Sequence, residues 1–340
     1  MAALGQRTRR GQGLWLALVG SASVALVLTS AAQSQANIGV ADLLPAILWI
    51  SVTPGVLALA QSLLLRRGHL DPAMIGVAAL SAGLIGMNGD EGNGQLLLGV
   101  LLALVAAVAF ALLSSYLTLT AGWGYAVVSA AAVLLGADKL TPLMGADEFT
   151  GVSAPLIQAM TGTELWLPKT ALIAAAAFVL VGVVRPVQEV RLREGNASGW
   201  VRPTLLVFVP AFLLSVLAGL LHTATLQAAD PQGVSAEMAD CLLVLTAGGC
   251  SLRAGEADVI DVAVGTLFLG AFDTFLHVML LPVTQELLLT TAAAVLFALI
   301  DLARLRPVPD DDPPPDPPSD PASQPAPPAQ AGNDPTPPAS

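Results

Sequence analysis

The feature that most constrains this chain is a series of apolar segments, most of them about as long as a helix that crosses a bilayer, which is roughly 17 to 25 residues. Over the whole sequence, 55% of the residues are hydrophobic and only 11% are charged, too few charges to cover a water-soluble surface. The sequence therefore predicts an all-α, polytopic membrane protein with about ten transmembrane or half-membrane helices. The predicted segments are approximately 13–32, 40–65, 71–87, 95–120, 122–136, 168–186, 203–223, 237–249, 258–281 and 283–303.

Three of these segments, 71–87, 122–136 and 237–249, are at or below the roughly 17 residues that cross the hydrocarbon. Short segments at membrane depth need neighbouring helices or a water-filled cavity to satisfy their backbone groups, which favours a transporter over a simple anchor. The stretches 40–120 and 203–281 share an order of long helix, glycine-containing turn, short apolar segment and long helix. This shared order suggests an internal repeat with a binding site between its halves.

The loop charges predict the orientation, because cytoplasmic loops are enriched in Lys and Arg. Arginines lie before residue 12, at 66–67, at 185–202, at 253 and at 304–306, whereas the alternate loops are mainly acidic. We therefore expect both termini in the cytoplasm. The chain divides into a cytoplasmic N-terminus (1–12), a membrane domain (13–305) and a cytoplasmic tail rich in Pro and Asp (306–340). The tail has almost no hydrophobic residue larger than Ala, which predicts disorder.

The first apolar segment follows Arg7, Arg9 and Arg10 and ends in small residues, so it is either a cleaved signal peptide or a retained first helix. A signal-peptide core is usually shorter than about 15 residues, and many spans follow this segment. Both observations favour the retained helix.

Several kinds of chemistry require motifs that the sequence lacks. It contains no GxxxxGK[ST] nucleotide loop, no HExxH and no GxSxG, so we expect no ATP hydrolysis by this chain itself. Its three histidines are not spaced as metal ligands, and Cys241 and Cys250 are best interpreted as packed thiols. No basic patch with interleaved aromatic residues is present, which argues against a nucleic-acid partner. We expect no cofactor and no metal.

Residues 211–304 carry a resemblance to a known family. Their features are Ala218-Gly219 in a helix, Pro231, Gly233 and Glu237 before a short segment, a turn with Gly248, Gly249, Ser251 and Leu252, then Gly265, Gly270, Gln285 and Asp301. This stretch resembles the C-terminal half of permease subunits of ribose-type and simple-sugar ABC importers. The Gly68–Gly76 turn, which contains Asp71, is similar to the family's glycine-rich turn before a short helix.

The resemblance implies a permease that carries a simple sugar or related polar solute across a bacterial inner membrane. It also implies the partners: a cytoplasmic ABC ATPase, an extracytoplasmic substrate-binding protein, a second permease subunit in a homo- or heterodimer, and membrane lipid. Permeases for branched-chain amino acids and nucleosides share this fold and stay open as alternatives. So do a degenerate homologue that does not transport and a carrier driven by an ion gradient.

The sequence also departs from the family pattern. Asp273 and His277 stand where the family has polar amides. The cytoplasmic loop expected to dock the ATPase, Val187–Trp200, is short and degenerate, and its candidate coupling residues are Arg191, Arg193, Glu194, Gly195 and Asn196. These departures fit an unusual substrate or a weakened coupling to the ATPase.

Four residues are candidates for the translocation path: Gly68, Asp71, Asp273 and His277. Asp71 before Pro72 is also a good helix start, in which the carboxylate caps free N–H groups. Asp273 and His277 share a helical face, so they either satisfy each other or present donors and acceptors to a sugar. His222, Asp240 and Glu286 lie near predicted helix ends, where we expect snorkelling or loop solvation to explain them.

Overall fold

The structure, a computed structural model, describes residues 9–33, 40–89, 92–120, 127–128, 131, 150–164, 167–193, 200–252 and 255–304. The predicted segment 122–136 falls almost entirely outside these residues, as do most of the N-terminal region 1–12 and the tail 306–340. The described helices are α1 (Arg9–Gln33), α2 (Val40–Leu65), α3 (Ala73–Asn88), α4 (Asn93–Thr120), α5 (Pro155–Met160), α6 (Lys169–Arg193), α7 (Val201–Leu226), α8 (Pro231–Ala236), α9 (Met238–Gly248), α10 (Val259–Val278) and α11 (Val283–Arg304).

The chain is an all-α, multi-pass membrane protein. In the part of the chain that the structure describes, seven helices are long and apolar enough to cross a membrane: α1, α2, α4, α6, α7, α10 and α11. Large apolar side chains on the outer helices face outward; on α4, Leu97, Leu101 and Val105 are each more than half exposed. A surface of this kind is stable in lipid and not in water.

Helices α2 and α7 form the centre of the bundle. The apolar stretch of α2 is 67% buried and that of α7 is 56% buried, whereas those of α1 and α11 are only 17% buried. α2 and α7 pack against each other, and α2 also packs on α10. Near its start, α7 contains a π-helical turn, Thr204–Phe208, where Thr204 contacts the Ser115 hydroxyl of α4 at 2.7 Å.

Two short helices, α3 and α9, are enclosed by longer ones. α3 packs on α4 and α7, and α9 packs on α10, α11 and α2. Nearly every α3 residue from Ala73 to Gly86 is buried, as are Leu243 to Gly248 at the end of α9. The prediction of short, shielded segments near 71–87 and 237–249 is therefore confirmed.

The ends of these helices follow local sequence rules. Asp258 caps α10 in a capping box with Asp261, and Asp230 caps α8 by accepting a hydrogen bond from the Gly233 N–H at 2.8 Å. Two small antiparallel pairs join the loops: β1 (Thr150–Gly151) with β4 (Ala228–Ala229), and β2 (Thr163–Glu164) with β3 (Leu167–Pro168).

Helix α1 is packed into the bundle rather than set apart from it. It lies against α10, and the Trp15 indole N–H donates to the Ala247 carbonyl oxygen of α9 at 2.9 Å. The Gln12 amide donates to the Asp261 carboxylate of α10 at 2.9 Å. Helix α1 therefore contributes hydrogen bonds to groups of α9 and α10.

Candidate functional site

Asp71 lies between α2 and α3 and is almost fully buried. One carboxylate oxygen accepts from the Ala73 N–H at 2.9 Å, and the other accepts from the Ser114 hydroxyl of α4. The Gln61 side-chain amide of α2 donates to the Asp71 carbonyl oxygen at 2.6 Å and accepts from the Asp71 N–H at 3.2 Å. Burial raises the pKa of Asp71, against the effect of the bonds from Ser114 and Ala73. These contacts tie α2, α3 and α4 together.

Gly68 belongs to the same turn but lies at the surface. Its φ of +73° is in the left-handed region, and a Cβ added there would meet nothing within 4 Å. The backbone conformation, rather than a lack of space, is what favours glycine here. The turn therefore combines one exposed and one buried candidate residue.

Asp273 and His277 meet through the backbone rather than through their charged groups. The Nδ1 atom of His277 lies 3.0 Å from the Asp273 carbonyl oxygen. The imidazole is 63% exposed and lies 3.7 Å from the Glu286 carboxylate at the start of α11. The Asp273 carboxylate instead interacts electrostatically with Asp240 and Glu237 of the α9 region.

The turn after α9 brings two residues of the resemblance into contact. Gly249 ends α9 with a φ of +91°, and a Cβ on Gly248 would clash with a backbone carbonyl of α10. Ser251 donates a buried hydrogen bond of 3.0 Å to the Asp301 carboxylate near the end of α11. Leu252 packs against the apolar core. This turn therefore holds α9, α10 and α11 together.

The proposed coupling loop differs from the prediction. Helix α6 does not end at 186 but continues through Pro186 to Arg193, so Val187–Arg193 is helical rather than loop. Arg185 and Glu189, one turn apart across that proline, lie 3.7 Å from each other, and such a pair supports the helix. Arg191 is exposed on this last stretch, and 194–196 lie outside the described residues.

A network of charges fixes this end of α6. Glu189 pairs with Arg66 in the turn after α2, and Arg185 pairs with Asp258 at 3.4 Å. Both arginines also donate to the Ala257 carbonyl oxygen before α10. Because two positive and two negative groups balance each other, the network joins α2, α6 and α10 without leaving a net charge.

Another group of titratable side chains surrounds His222, near the end of α7. His222 is 7% exposed, so the expectation of loop solvation is wrong for this residue. Its Nδ1 lies 3.2 Å from the Glu237 carboxylate and its Nε2 lies 3.7 Å from the Asp230 carboxylate. The sequence signal was a histidine in an apolar helix with two acids across the next turn. This signal is hard to interpret from sequence because those acids directly precede α8 and α9 and do not belong to the histidine's own helix.

The two carboxylates beside His222 have different environments. Burial raises the pKa of Glu237, with the nearby His222 acting in the opposite direction. The facing His222 ring lowers the pKa of Asp230, against the effect of burial. A proton is therefore held more readily on Glu237 than on Asp230.

These side chains suit proton exchange or the binding of polar groups. Among the described residues, no group of three or more His, Cys, Asp or Glu is arranged to hold a metal ion. Cys241 and Cys250 are both free thiols and both buried. The chemistry of this region therefore rests on carboxylates and imidazole.

Comparisons with protein-family models, with curated proteins and with solved structures find no match to this chain. What supports a function is therefore the arrangement of helices and side chains, together with the sequence resemblance.

Proposed function

We propose that the chain is the membrane-spanning permease subunit of an ABC importer that moves a simple sugar or a related polar solute across a bacterial inner membrane. A separate ATPase subunit supplies the energy, since this sequence lacks a nucleotide-binding loop. A binding protein delivers the solute from outside, and a second permease subunit completes the path. Both termini lie in the cytoplasm.

The observation that carries the proposal is the equivalent placing of the short helices α3 and α9. α3 packs on α4, which follows it, and on the central helix α7. α9 packs on α10, which follows it, and on the central helix α2. The remaining pairs agree, since α4 contacts α7 and α10 contacts α2. These three pairs of contacts are what we expect if α2, α3 and α4 are repeated in α7, α9 and α10.

Matching glycines strengthen this correspondence. Gly99, six residues after the start of α4, lies where a Cβ would be 2.6 Å from the carbonyl oxygen of Leu84, four residues before the end of α3. Gly265, six residues after the start of α10, faces the Val244 carbonyl, four residues before the end of α9, even more closely. Each short helix therefore packs on the next long helix through a glycine at the same place.

An arrangement of this kind suits alternating access. In the proposed orientation, α2 runs toward the cytoplasm and α7 runs away from it. The two sets of helices therefore have opposite directions in the membrane. Inverted repeats with short helices between them are common in transporters, where solute binds between the halves and the halves move against each other. Ser251 and Asp301 are two features of the family resemblance that are distant in sequence. Their hydrogen bond makes them neighbours in space.

Purification from the native membrane in a mild detergent tests the proposal, followed by identification of the subunits that remain bound. We expect a nucleotide-binding ATPase in defined stoichiometry with this chain. As a matched control, the same tag on an unrelated multi-pass protein of that membrane should not retain the ATPase. Recovery of the chain without any ATPase, in a folded and monodisperse form, would favour the non-transporting homologue.

A further inference from the structure

The buried histidine of α7 lies between carboxylates from two other elements. His222 is in the penultimate turn of α7, Asp230 caps α8, and Glu237 directly precedes α9. Its two ring nitrogens therefore face one carboxylate each, at 3.2 and 3.7 Å. A change in the charge of His222 therefore changes its electrostatic interaction with carboxylates at the starts of both α8 and α9.

Two atoms in this group have unused hydrogen-bonding capacity. Among the described residues, neither the Nε2 atom of His222 nor the Oε2 atom of Glu237 has a hydrogen-bond partner, although both atoms are buried. Buried polar atoms are nearly always bonded, so unpaired ones need an explanation. The Nε2 atom points to Asp230 at slightly more than hydrogen-bond distance, where a bound proton strengthens the attraction.

The surroundings contain more negative groups than positive ones. The Asp273 carboxylate of α10 interacts with Asp240 and Glu237 of the α9 region and with Glu286 of α11. The sequence has no Lys or Arg from 203 to 252 or from 254 to 303. The described side chains of α2, α3 and α4, which surround α7, add no carboxylate, His, Lys or Arg to this region. Among the described residues, His222 lies beside Asp230 and Glu237, and the exposed His277 lies 3.7 Å from Glu286.

We propose that His222, Asp230 and Glu237 form a proton-binding site that links the end of α7 to the starts of α8 and α9, with Asp240 and Asp273 as neighbouring acids. Asp230 and Glu237 are both partly buried beside His222, and burial and like charges both favour the protonated form of a carboxyl group. We therefore expect the site to keep a proton at neutral pH. Nothing in the proposed permease function requires such a site.

The proton can move within the site without any other reactant. When Glu237 is protonated on Oε1, the O–H bond breaks as an N–H bond forms at Nδ1 of neutral His222. The carboxyl becomes a carboxylate and the imidazole becomes an imidazolium, whose Nε2–H faces Asp230. Because Asp230 lies in the connection after α7, it gives the bound proton a route to that end of the bundle.

Infrared spectroscopy of the purified full-length protein in lipid vesicles tests the site with protons as the only ligand. Wild type should show a protonated carboxyl band at neutral pH that shifts in D2O and disappears as the pH rises. Glu237→Gln should lose part of that band. The control Glu256→Gln removes an exposed carboxylate before α10 and should leave the band unchanged. His222→Gln should preserve the band to higher pH, since the imidazolium no longer favours the Glu237 carboxylate.

If Glu237→Gln does not fold, Asp273→Asn provides an independent test, since it should also reduce the protonated carboxyl band. Absence of the band from wild type at neutral pH would overturn the proposal, as would a band of equal size in wild type, Glu237→Gln and Asp273→Asn. The experiment needs neither the ATPase nor a solute. Its failure would therefore leave the permease function standing, and loss of the permease function would leave the proton site standing.

Discussion

Gly99→Ala tests the close packing of α3 on α4, one half of the proposed repeat. The added Cβ would lie 2.6 Å from the Leu84 carbonyl oxygen, 3.1 Å from the Asn88 Cβ and 3.2 Å from the Ile85 Cα. Ordinary contacts begin near 3.4 Å. Because two of the three atoms belong to the backbone, a rotamer change cannot relieve the clash, and the helices must separate by about 0.8 Å.

The expected cost follows from this separation. Overpacking of a well-packed contact costs about 1–3 kcal/mol, and replacing Gly with Ala inside a helix returns up to about 1 kcal/mol. A mid-helix control, Gly182→Ala on α6, has nothing within 4 Å of the new Cβ. This control therefore shows only the stabilisation that comes from replacing Gly with Ala in a helix. The difference between the two variants therefore measures the clash, about 1–3 kcal/mol.

Thermal unfolding in detergent, followed by size-exclusion chromatography, measures this difference. We expect a melting temperature several degrees lower for Gly99→Ala than for Gly182→Ala. The melting temperature of Gly265→Ala should be lower still, because its Cβ would be closer to the Val244 carbonyl oxygen and only 2.9 Å from the Gly248 nitrogen. If Gly99→Ala melts as high as Gly182→Ala, the close helix contact does not exist as described. If only one of the two packed glycines matters, the halves are not equivalent.

Three further predictions address orientation, the α2–α3 turn and the candidate path. Gly195→Cys should react with an impermeant thiol reagent only after the cells are opened; labelling from outside would contradict a cytoplasmic loop. Burial raises the pKa of Asp71, so its contribution to stability is greatest at acid pH and is lost as the pH rises through that raised pKa. The melting temperature of Asp71→Asn, relative to wild type, should therefore increase with pH, and a constant difference would refute the assignment. Asp273→Leu should abolish solute uptake while Asp273→Asn retains it; normal uptake by a well-folded Leu variant would remove Asp273 from the path.

Much of the fold follows from the lengths of the apolar runs. The predicted segments 40–65 and 283–303 agree with α2 and α11 within one residue, because charged or turn residues bound these runs sharply. The end of α6 could not be predicted in this way. Pro186 marks a plausible stop, but Arg185 and Glu189 pair across it. Arg66, in the turn after α2, also pairs with Glu189, which is a tertiary contact.

The candidate site was predictable only where its chemistry is local. Asp71 next to Pro72 indicates a helix cap, and the structure gives Asp71 a bond from the Ala73 N–H. His222 could not be interpreted from its own helix, because its partners directly precede α8 and α9 and the chain must turn before they meet it. The same reason explains Asp273, whose carboxylate interacts across helices rather than with His277 one turn away.

The most direct test of the central claim is solute accumulation by vesicles that contain the complex purified from the native membrane. The binding protein supplies a radiolabelled polar solute. Energy comes either from ATP on the side of the membrane where the ATPase binds or from an imposed proton gradient. The permease account predicts accumulation that requires ATP and persists when the proton gradient is dissipated. Accumulation driven by the proton gradient without ATP would contradict that account and identify a carrier driven by an ion gradient.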